Sequence, residues 1–316
     1  MLKVAINGAG RIGRACARLL LQRDDRQLVA IADTMPPDQL RYLLEHDSIH
    51  RNRTATPSQN CKTKIIQSKE GAIYDFAALG ADVLLECSGR FLSASDHHHL
   101  IEGGLRRVIL SAVAEDETPV LLKGVSPEIS APVLSAGSCT SNALALITHA
   151  LAQSFKLEGV MATSIHSYTA DQRLLDGRHT GQWRYSRAAG GNIIPSKTMA
   201  AANLPRILGS AHPRAAAIGL RVPLADVCLM QAVFRLGRVA SKEAVNAALE
   251  RFSQRLPDSF GFSCEPLVST DVIGTPQSAI VDGDLTTCCG DLVQVCAWHD
   301  NETGYAARVV ELIPSR

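Results

Sequence analysis

Cys139 stands in Ser138-Cys139-Thr140-Ser141-Asn142, and the apolar run Ala143-Leu144-Ala145-Leu146-Ile147 follows at once. That pattern reads as a loop turning into a helix, with the thiol in the first turn. Unpaired backbone N–H groups and the positive end of the helix dipole favour an anion there. The thiol is therefore expected to lose its proton readily and to act as a nucleophile. Free cysteine is also among the most buried residue types and often serves as a small hydrophobe. The chain has nine cysteines, so other residues have to single this one out.

A second chemistry-bearing pattern lies near the N-terminus. The β-rich run Lys3 to Asn7 leads into Gly8-Ala9-Gly10-Arg11-Ile12-Gly13, a helical pattern from Arg14 to Arg23, and a second strand, Gln27 to Ala32, ending at Asp33. Gly8 permits a tight turn, Gly10 lets the backbone approach a pyrophosphate, and Gly13 lets helix and strand pack closely. The helix N-terminus then faces the phosphates. A carboxylate at Asp33 accepts ribose hydroxyls and repels a 2′-phosphate, which favours NAD over NADP.

The elements that must position these groups alternate in type. Asp38 to Glu45 reads as helix, Asp82 to Cys87 as a buried strand, Ser95 to Gly103 as helix, and Arg107 to Ser111 and Pro132 to Ser135 as strands. Continuous apolar strands separated by helices imply a parallel sheet covered on both faces. With 316 residues, two domains are expected. Cys139 falls where the first sheet ends, and so near the nicotinamide of a bound dinucleotide. The formal net charge of +1 gives no field for nucleic acid or an anionic membrane. No apolar stretch reaches membrane-spanning length, and the N-terminus does not resemble a secretory signal. The cysteines lack the spacing of a disulfide framework or a zinc site, which points to reduced thiols in the cytoplasm and no metal. His97-His98-His99 reads as a solvated helix face.

The chain resembles phosphorylating glyceraldehyde-3-phosphate dehydrogenases along nearly its whole length. The matching segments are Ala5 to Arg14, Ser88-Gly89-Arg90-Phe91, Ser138 to Asn142, His166 to Gln172, Asn192-Ile193-Ile194-Pro195, Arg221-Val222-Pro223 and Trp298 to Tyr305. Erythrose-4-phosphate dehydrogenases, close relatives, share nearly all of them. The resemblance implies an α/β fold: a Rossmann-type doubly wound parallel sheet in an NAD-binding domain over 1–138, and an α+β catalytic domain over 139–302 with a mixed or antiparallel sheet. It implies a C-terminal helix, 303–316, packed back on the first domain. It makes Cys139 the nucleophile and His166 the base. Thr169, Asp171 and Arg221 would shape the site for the substrate's own phosphate, and Ser138, Thr140 and Thr198 that for the attacking phosphate. It gives cofactor contacts to Asn7, Gly8, Gly10, Arg11, Ile12, Gly13, Asp33, Ser88, Gly89, Ser111 and Asn301. The implied activity is NAD-dependent oxidation of a phosphorylated aldehyde, glyceraldehyde 3-phosphate before erythrose 4-phosphate, with inorganic phosphate as acceptor, in a homotetramer. A hydrolytic enzyme and a non-enzymatic regulator are the rival readings.

Four departures qualify this resemblance. Tyr185 replaces an arginine that helps to hold the attacking phosphate, and Met199 stands where glycine is usual. These two point to weak phosphate dependence or a changed acceptor. The chain is short between Asp47 and Asp82, where the family has further strands, and Asn52 to Thr63 reads as a loop. Gly177-Arg178 replaces a pair that is often Leu-Pro in NAD-preferring members. The stretch from Tyr168 to Gly191 reads as one long, polar loop.

Overall fold

A computed structural model describes residues 1–50, 63–210 and 212–314. The chain divides into two compact units, Met1–Ser138 with Tyr305–Arg316, and Cys139–Gly304.

The first unit is built on six strands, β1 (Leu2–Asn7), β2 (Arg26–Asp33), β3 (Lys64–Gln67), β4 (Val83–Glu86), β5 (Arg107–Leu110) and β6 (Val133–Ser135). They run in the order β3-β2-β1-β4-β5-β6, and every pairing is parallel. The order reverses between β1 and β4, where such sheets open a ligand crevice at their carboxyl ends. All of β4 is buried, so alternation disappears from its sequence. Helices α1 (Arg11–Leu21) and α2 (Pro37–Glu45) follow β1 and β2. Asp47, just after α2, accepts from Arg11 at 2.8 Å and Arg18 at 3.0 Å, which ties that loop to both ends of α1.

The helix expected over 95–103 is divided. A 3₁₀ turn spans Ala94–His97, and α3 covers only His98–Glu102. Ser93 and Asp96 cap the turn reciprocally. His97 is fully buried, with Nε2 3.2 Å from the Phe91 carbonyl. The solvated-face reading therefore holds for His98 and His99 but not for His97, which is buried. Of the loop expected over Asn52 to Thr63, all but Thr63 lies outside the described residues.

The second unit starts with α4 (Cys139–Ala152) and carries seven strands. These are β7 (Leu157–Ser167), β8 (Ile194–Ser196), β9 (Arg214–Val222), β10 (Cys228–Leu236), β11 (Phe260–Ser263), β12 (Ala279–Cys289) and β13 (Leu292–His299). Their order is β11-β12-β13-β10-β7-β9-β8. The pairs β7–β9 and β11–β12 are parallel and the rest antiparallel, so the sheet is mixed. Helix α4 is nearly all buried against β7, β10, β12 and β13. Helices α5 (Leu204–Leu208) and α6 (Lys242–Arg255) pack beside it. Between Tyr168 and Gly191 there are only short 3₁₀ turns, Trp183–Ser186 and Ala189–Gly191. Helix α7 (Thr303–Glu311) returns the chain to the first unit from Tyr305 onward, where the Tyr305 hydroxyl donates to the Gly137 carbonyl at 2.8 Å.

The glycines near the N-terminus differ sharply in what they tolerate. A Cβ at Gly13 would lie 1.9 Å from the Gly8 carbonyl oxygen, whereas one at Gly10 would meet nothing within 4 Å. Gly13→Ala is expected to cost roughly 3 kcal/mol or more, the upper end for overpacking. Gly10→Ala should cost under about 1 kcal/mol. Urea unfolding of the two variants checks this, and equal losses would contradict it.

Candidate active site

Cys139 is the first residue of α4, whose start is held by Asn203 donating to the Ser141 hydroxyl at 3.0 Å. Four strands present a row of side chains beneath it. Arg221 on β9 pairs in register with His166 on β7, His166 with Cys228 on β10, and Cys228 with His299 on β13. Paired residues on neighbouring strands share a face. His166, Cys228 and His299 fall in the buried phase of their strands, the phase of Val160, Ala162, Met230 and Ala297. His166 Nε2 lies 3.5 Å from Cys139 Sγ, and Nδ1 lies 2.7 Å from the Ser167 carbonyl. A carbonyl only accepts, so Nδ1 carries the proton and Nε2 turns its lone pair to the thiol, the tautomer a base requires.

Burial dominates the electrostatics of this pair. It pushes the Cys139 thiol up to about 11, against Arg221 and the backbone N–H groups of Thr140 and Cys139, which favour the thiolate. It pushes His166 down to about 3, helped by Arg221 and opposed by the Ser167 carbonyl. Burial opposes both charged forms, whereas Arg221 and the backbone N–H groups of the helix start favour the thiolate.

Anion donors lie close by. Arg221 Nη1 donates to the Ser167 carbonyl at 3.1 Å, and its Nε is buried with no hydrogen-bond partner among the described residues. Thr140 and Thr198 bring their hydroxyls to 3.5 Å. Thr169 is held through its N–H and hydroxyl by Gln172, whose amide oxygen accepts both. Asp171 Oδ1 lies 3.2 Å from His179 Nε2. The Tyr185 ring meets His179 edge-on at 5.4 Å, and Met199 is exposed. Neither supplies a cation. Arg178 gives its carbonyl to Arg173.

Asn301 sits in the turn after β13. Its Oδ1 accepts from Ser167 Oγ at 2.9 Å and Cys228 Sγ at 3.3 Å, so its Nδ2 is left to donate elsewhere. Asp300 fixes the turn by accepting from the N–H groups of Gly274, Glu302 and Thr303. Before β10, Val227 adopts φ 71°, a costly conformation for a β-branched residue. Cys228 carries no motif signal, whereas Ser167 and His299 lie in the matching segments His166 to Gln172 and Trp298 to Tyr305. Only strand register brings Cys228 beside His166.

In the first unit, Asn7, Gly8, Asp33, Ser88, Gly89 and Ser111 line the carboxyl edge of the sheet around its switch point. Ser138 closes that unit one residue before the thiol. Gly10 caps α1 with no side chain, no acidic residue occupies the first turn through Arg11, Ile12 and Gly13, and open space lies beside Gly10. That fits a pyrophosphate bound by backbone N–H groups. Asp33 accepts from the N–H groups of Ala9 at 2.5 Å and Met35 at 2.9 Å, so its carboxylate stands beside the glycine loop. Glu86, which motif reading passed over, accepts from Asn7 Nδ2 at 2.7 Å and from the N–H and hydroxyl of Ser88. Burial raises its pKa against those hydrogen bonds. Its signal was a charge at the end of a buried apolar strand.

Residues 2–94 match the family model described as the NAD binding domain of glyceraldehyde 3-phosphate dehydrogenase, and residues 138–301 match that of its C-terminal domain. The chain is similar to glyceraldehyde-3-phosphate dehydrogenase 1 of Bacillus cereus, at 36% identity over 99% of this chain and 97% of the relative. It is 36% identical to the Geobacillus stearothermophilus glyceraldehyde-3-phosphate dehydrogenase over 98% of this chain and 97% of that one. The cytosolic enzyme of Pisum sativum is 34% identical over 99% and 97%.

His299 makes a testable contribution to stability. It is fully buried, both ring nitrogens lack a partner among the described residues, and burial pushes it down to about 4. A folded-state pKa below the unfolded value favours the neutral ring. The stability it contributes is thus present above about pH 6.5 and is lost as pH falls toward 4. His299→Phe should flatten the fall of unfolding free energy between pH 6.5 and 4.5, read by urea titration at several pH values. An unchanged slope would contradict the assignment.

Proposed function

The chain belongs to the glyceraldehyde-3-phosphate dehydrogenase family, and from that premise we propose that it is an NAD-dependent, phosphorylating aldehyde dehydrogenase whose first substrate is glyceraldehyde 3-phosphate. The observation that carries the mechanism is the 3.5 Å contact between Cys139 Sγ and His166 Nε2. His166 takes the thiol proton as sulfur attacks the aldehyde carbon, then returns it to the new alkoxide, giving a hemithioacetal on Cys139. NAD, when bound, supplies the acceptor for the hydride that leaves that carbon. His166 receives the hydroxyl proton in the same step, and a thioester on Cys139 remains. The backbone N–H of Cys139 and the imidazole of His166 stabilise the oxyanion. Arg221, with Thr169, holds the phosphate of the substrate, the buried Nε of Arg221 providing a charge-assisted donor. Asn301, its Oδ1 already satisfied by Ser167 and Cys228, directs Nδ2 to the nicotinamide carboxamide. The relatives named above support the substrate, and erythrose 4-phosphate is the second choice.

Thr140 and Thr198 hold the attacking phosphate, and Tyr185 and Met199 weaken that site. Loss of one charge-assisted contact, about 1.5–3 kcal/mol, weakens phosphate binding by roughly 10- to 100-fold. The absence of a cation at Tyr185 favours, as a second reading, water as the acceptor when phosphate is scarce. The working assembly is a homotetramer in the cytoplasm. Exposed apolar side chains support an assembly: Leu174, Leu175 and Trp183 in the long loop, and Met161, Ile218 and Leu292 on the sheet face opposite His166. No described helix is long and apolar enough to cross a membrane.

NADH formation from glyceraldehyde 3-phosphate should rise with phosphate without saturating at low-millimolar levels, and Tyr185→Arg should bring saturation into that range. Saturation in the native chain would overturn the weakened site. Free acid rather than acyl phosphate as the product would establish the hydrolytic reading instead. His166→Asn is expected to lower kcat by roughly 10²- to 10⁴-fold, and a kcat within threefold of the native value would remove His166 from the base role.

A further inference from the structure

We propose that Gln172 binds the phosphate of the substrate, its side-chain Nε2 donating to a phosphate oxygen alongside Arg221. This deepens the reading of Arg221 and Thr169 as the site for that phosphate, and it rests on that reading.

The chain folds Gln172 back onto the strand ends where that site lies. Tyr168, the first residue after β7, donates its N–H to the Leu224 carbonyl at 3.1 Å, just beyond the end of β9. The N–H of Gln172 donates to the Thr169 carbonyl at 3.0 Å, which closes a turn. Across that turn the Gln172 side chain reaches Thr169, with Oε1 2.7 Å from the backbone nitrogen and 3.0 Å from the hydroxyl. Arg221, near the end of β9, donates from Nη1 to the Ser167 carbonyl at 3.1 Å. Arg221 and Gln172 therefore meet the same short segment, Ser167 to Thr169, from two different elements.

Chemistry fixes which way the amide faces. A backbone N–H can only donate, so the Thr169 N–H requires the amide oxygen and turns Nε2 the other way. Gln172 is buried, and its Nε2 has no hydrogen-bond partner among the described residues. Arg221 Nε is in the same condition. A buried donor without a partner is costly. Two such nitrogens at one segment are satisfied together by an anion with several acceptor oxygens, and the guanidinium makes that contact charge-assisted. The neighbouring Asp171 offers the opposite. It is exposed, its carboxylate lies against His179, and a carboxylate repels a phosphate. Of these two neighbours the buried amide, and not the exposed carboxylate, has the donor that a phosphate needs. As phosphate binds, the Thr169 hydroxyl turns its proton from Gln172 to the ligand, while the Thr169 N–H keeps Oε1 in place.

The test compares glyceraldehyde 3-phosphate with glyceraldehyde, which lacks the phosphate, in the full chain and in two variants. Gln172→Glu keeps an acceptor for Thr169 and replaces the donor by oxygen. Gln172→Met removes donor and acceptor together, and either variant suffices if the other does not fold. The ratio of kcat/KM for the phosphorylated aldehyde to that for the free aldehyde should fall roughly 10- to 100-fold, the worth of one hydrogen bond to a charged group. Calorimetry with glycerol 3-phosphate, which carries the phosphate but no aldehyde, should show a Kd raised by roughly tenfold or more. Equal losses on the two aldehydes, or an unchanged Kd for glycerol 3-phosphate, would overturn the role of Gln172. A native chain that oxidises neither aldehyde, with variants that still lose affinity for glycerol 3-phosphate, would overturn the proposed activity and leave this site standing.

Discussion

Everything proposed for the second unit depends on keeping one sulfur and one imidazole nitrogen in contact. Burial pushes Cys139 up to about 11 and His166 down to about 3, while Arg221 and the backbone N–H groups of Thr140 and Cys139 favour the thiolate. Their 3.5 Å contact allows the proton to pass directly from one to the other when a carbonyl carbon arrives to take the sulfur. The Ser167 carbonyl contributes by occupying Nδ1, and Arg221 by lying in register beside His166. Register does the positioning, because a slip of one residue on β7 would turn His166 to the other face.

The first unit uses carboxylates in a comparable way. Glu86, Asp33 and Asp47 each hold backbone or side chains around the dinucleotide loop. Asp47 shows the balance. Burial raises its pKa, but the N–H groups of His50 and Ile49, with Arg11, hold it well below the usual carboxylate range. Its contribution is present above the unfolded carboxylate pKa and disappears only as pH falls through the lower folded value. The glycine loop is thereby fixed by steric contact at Gly8 and Gly13 and by charge at its two ends.

Much of this was legible in sequence because it is local. The glycine spacing, the carboxylate at Asp33, and the thiol at a loop-to-helix junction each depend on residues close along the chain. The parallel sheet followed from apolar runs such as Val83-Leu84-Leu85 set between helical patterns. What escaped depends on contacts between distant segments. Cys228 joins the site through antiparallel register between β7 and β10, and nothing in its own neighbourhood announces it. His97 is the exception, buried beside the carbonyl of Phe91 only a few residues away.

The central claim is that Cys139 carries the oxidised substrate as a thioester formed with the help of His166. Mixing the protein with NAD and glyceraldehyde 3-phosphate in phosphate-free buffer, quenching in acid within one turnover and measuring intact and peptide masses tests it most directly. A phosphoglyceroyl group on the Cys139 peptide, formed with one equivalent of NADH and much more slowly in His166→Asn, is the predicted result. A burst of NADH with no acyl group on Cys139, or with the group on another residue, would contradict the account.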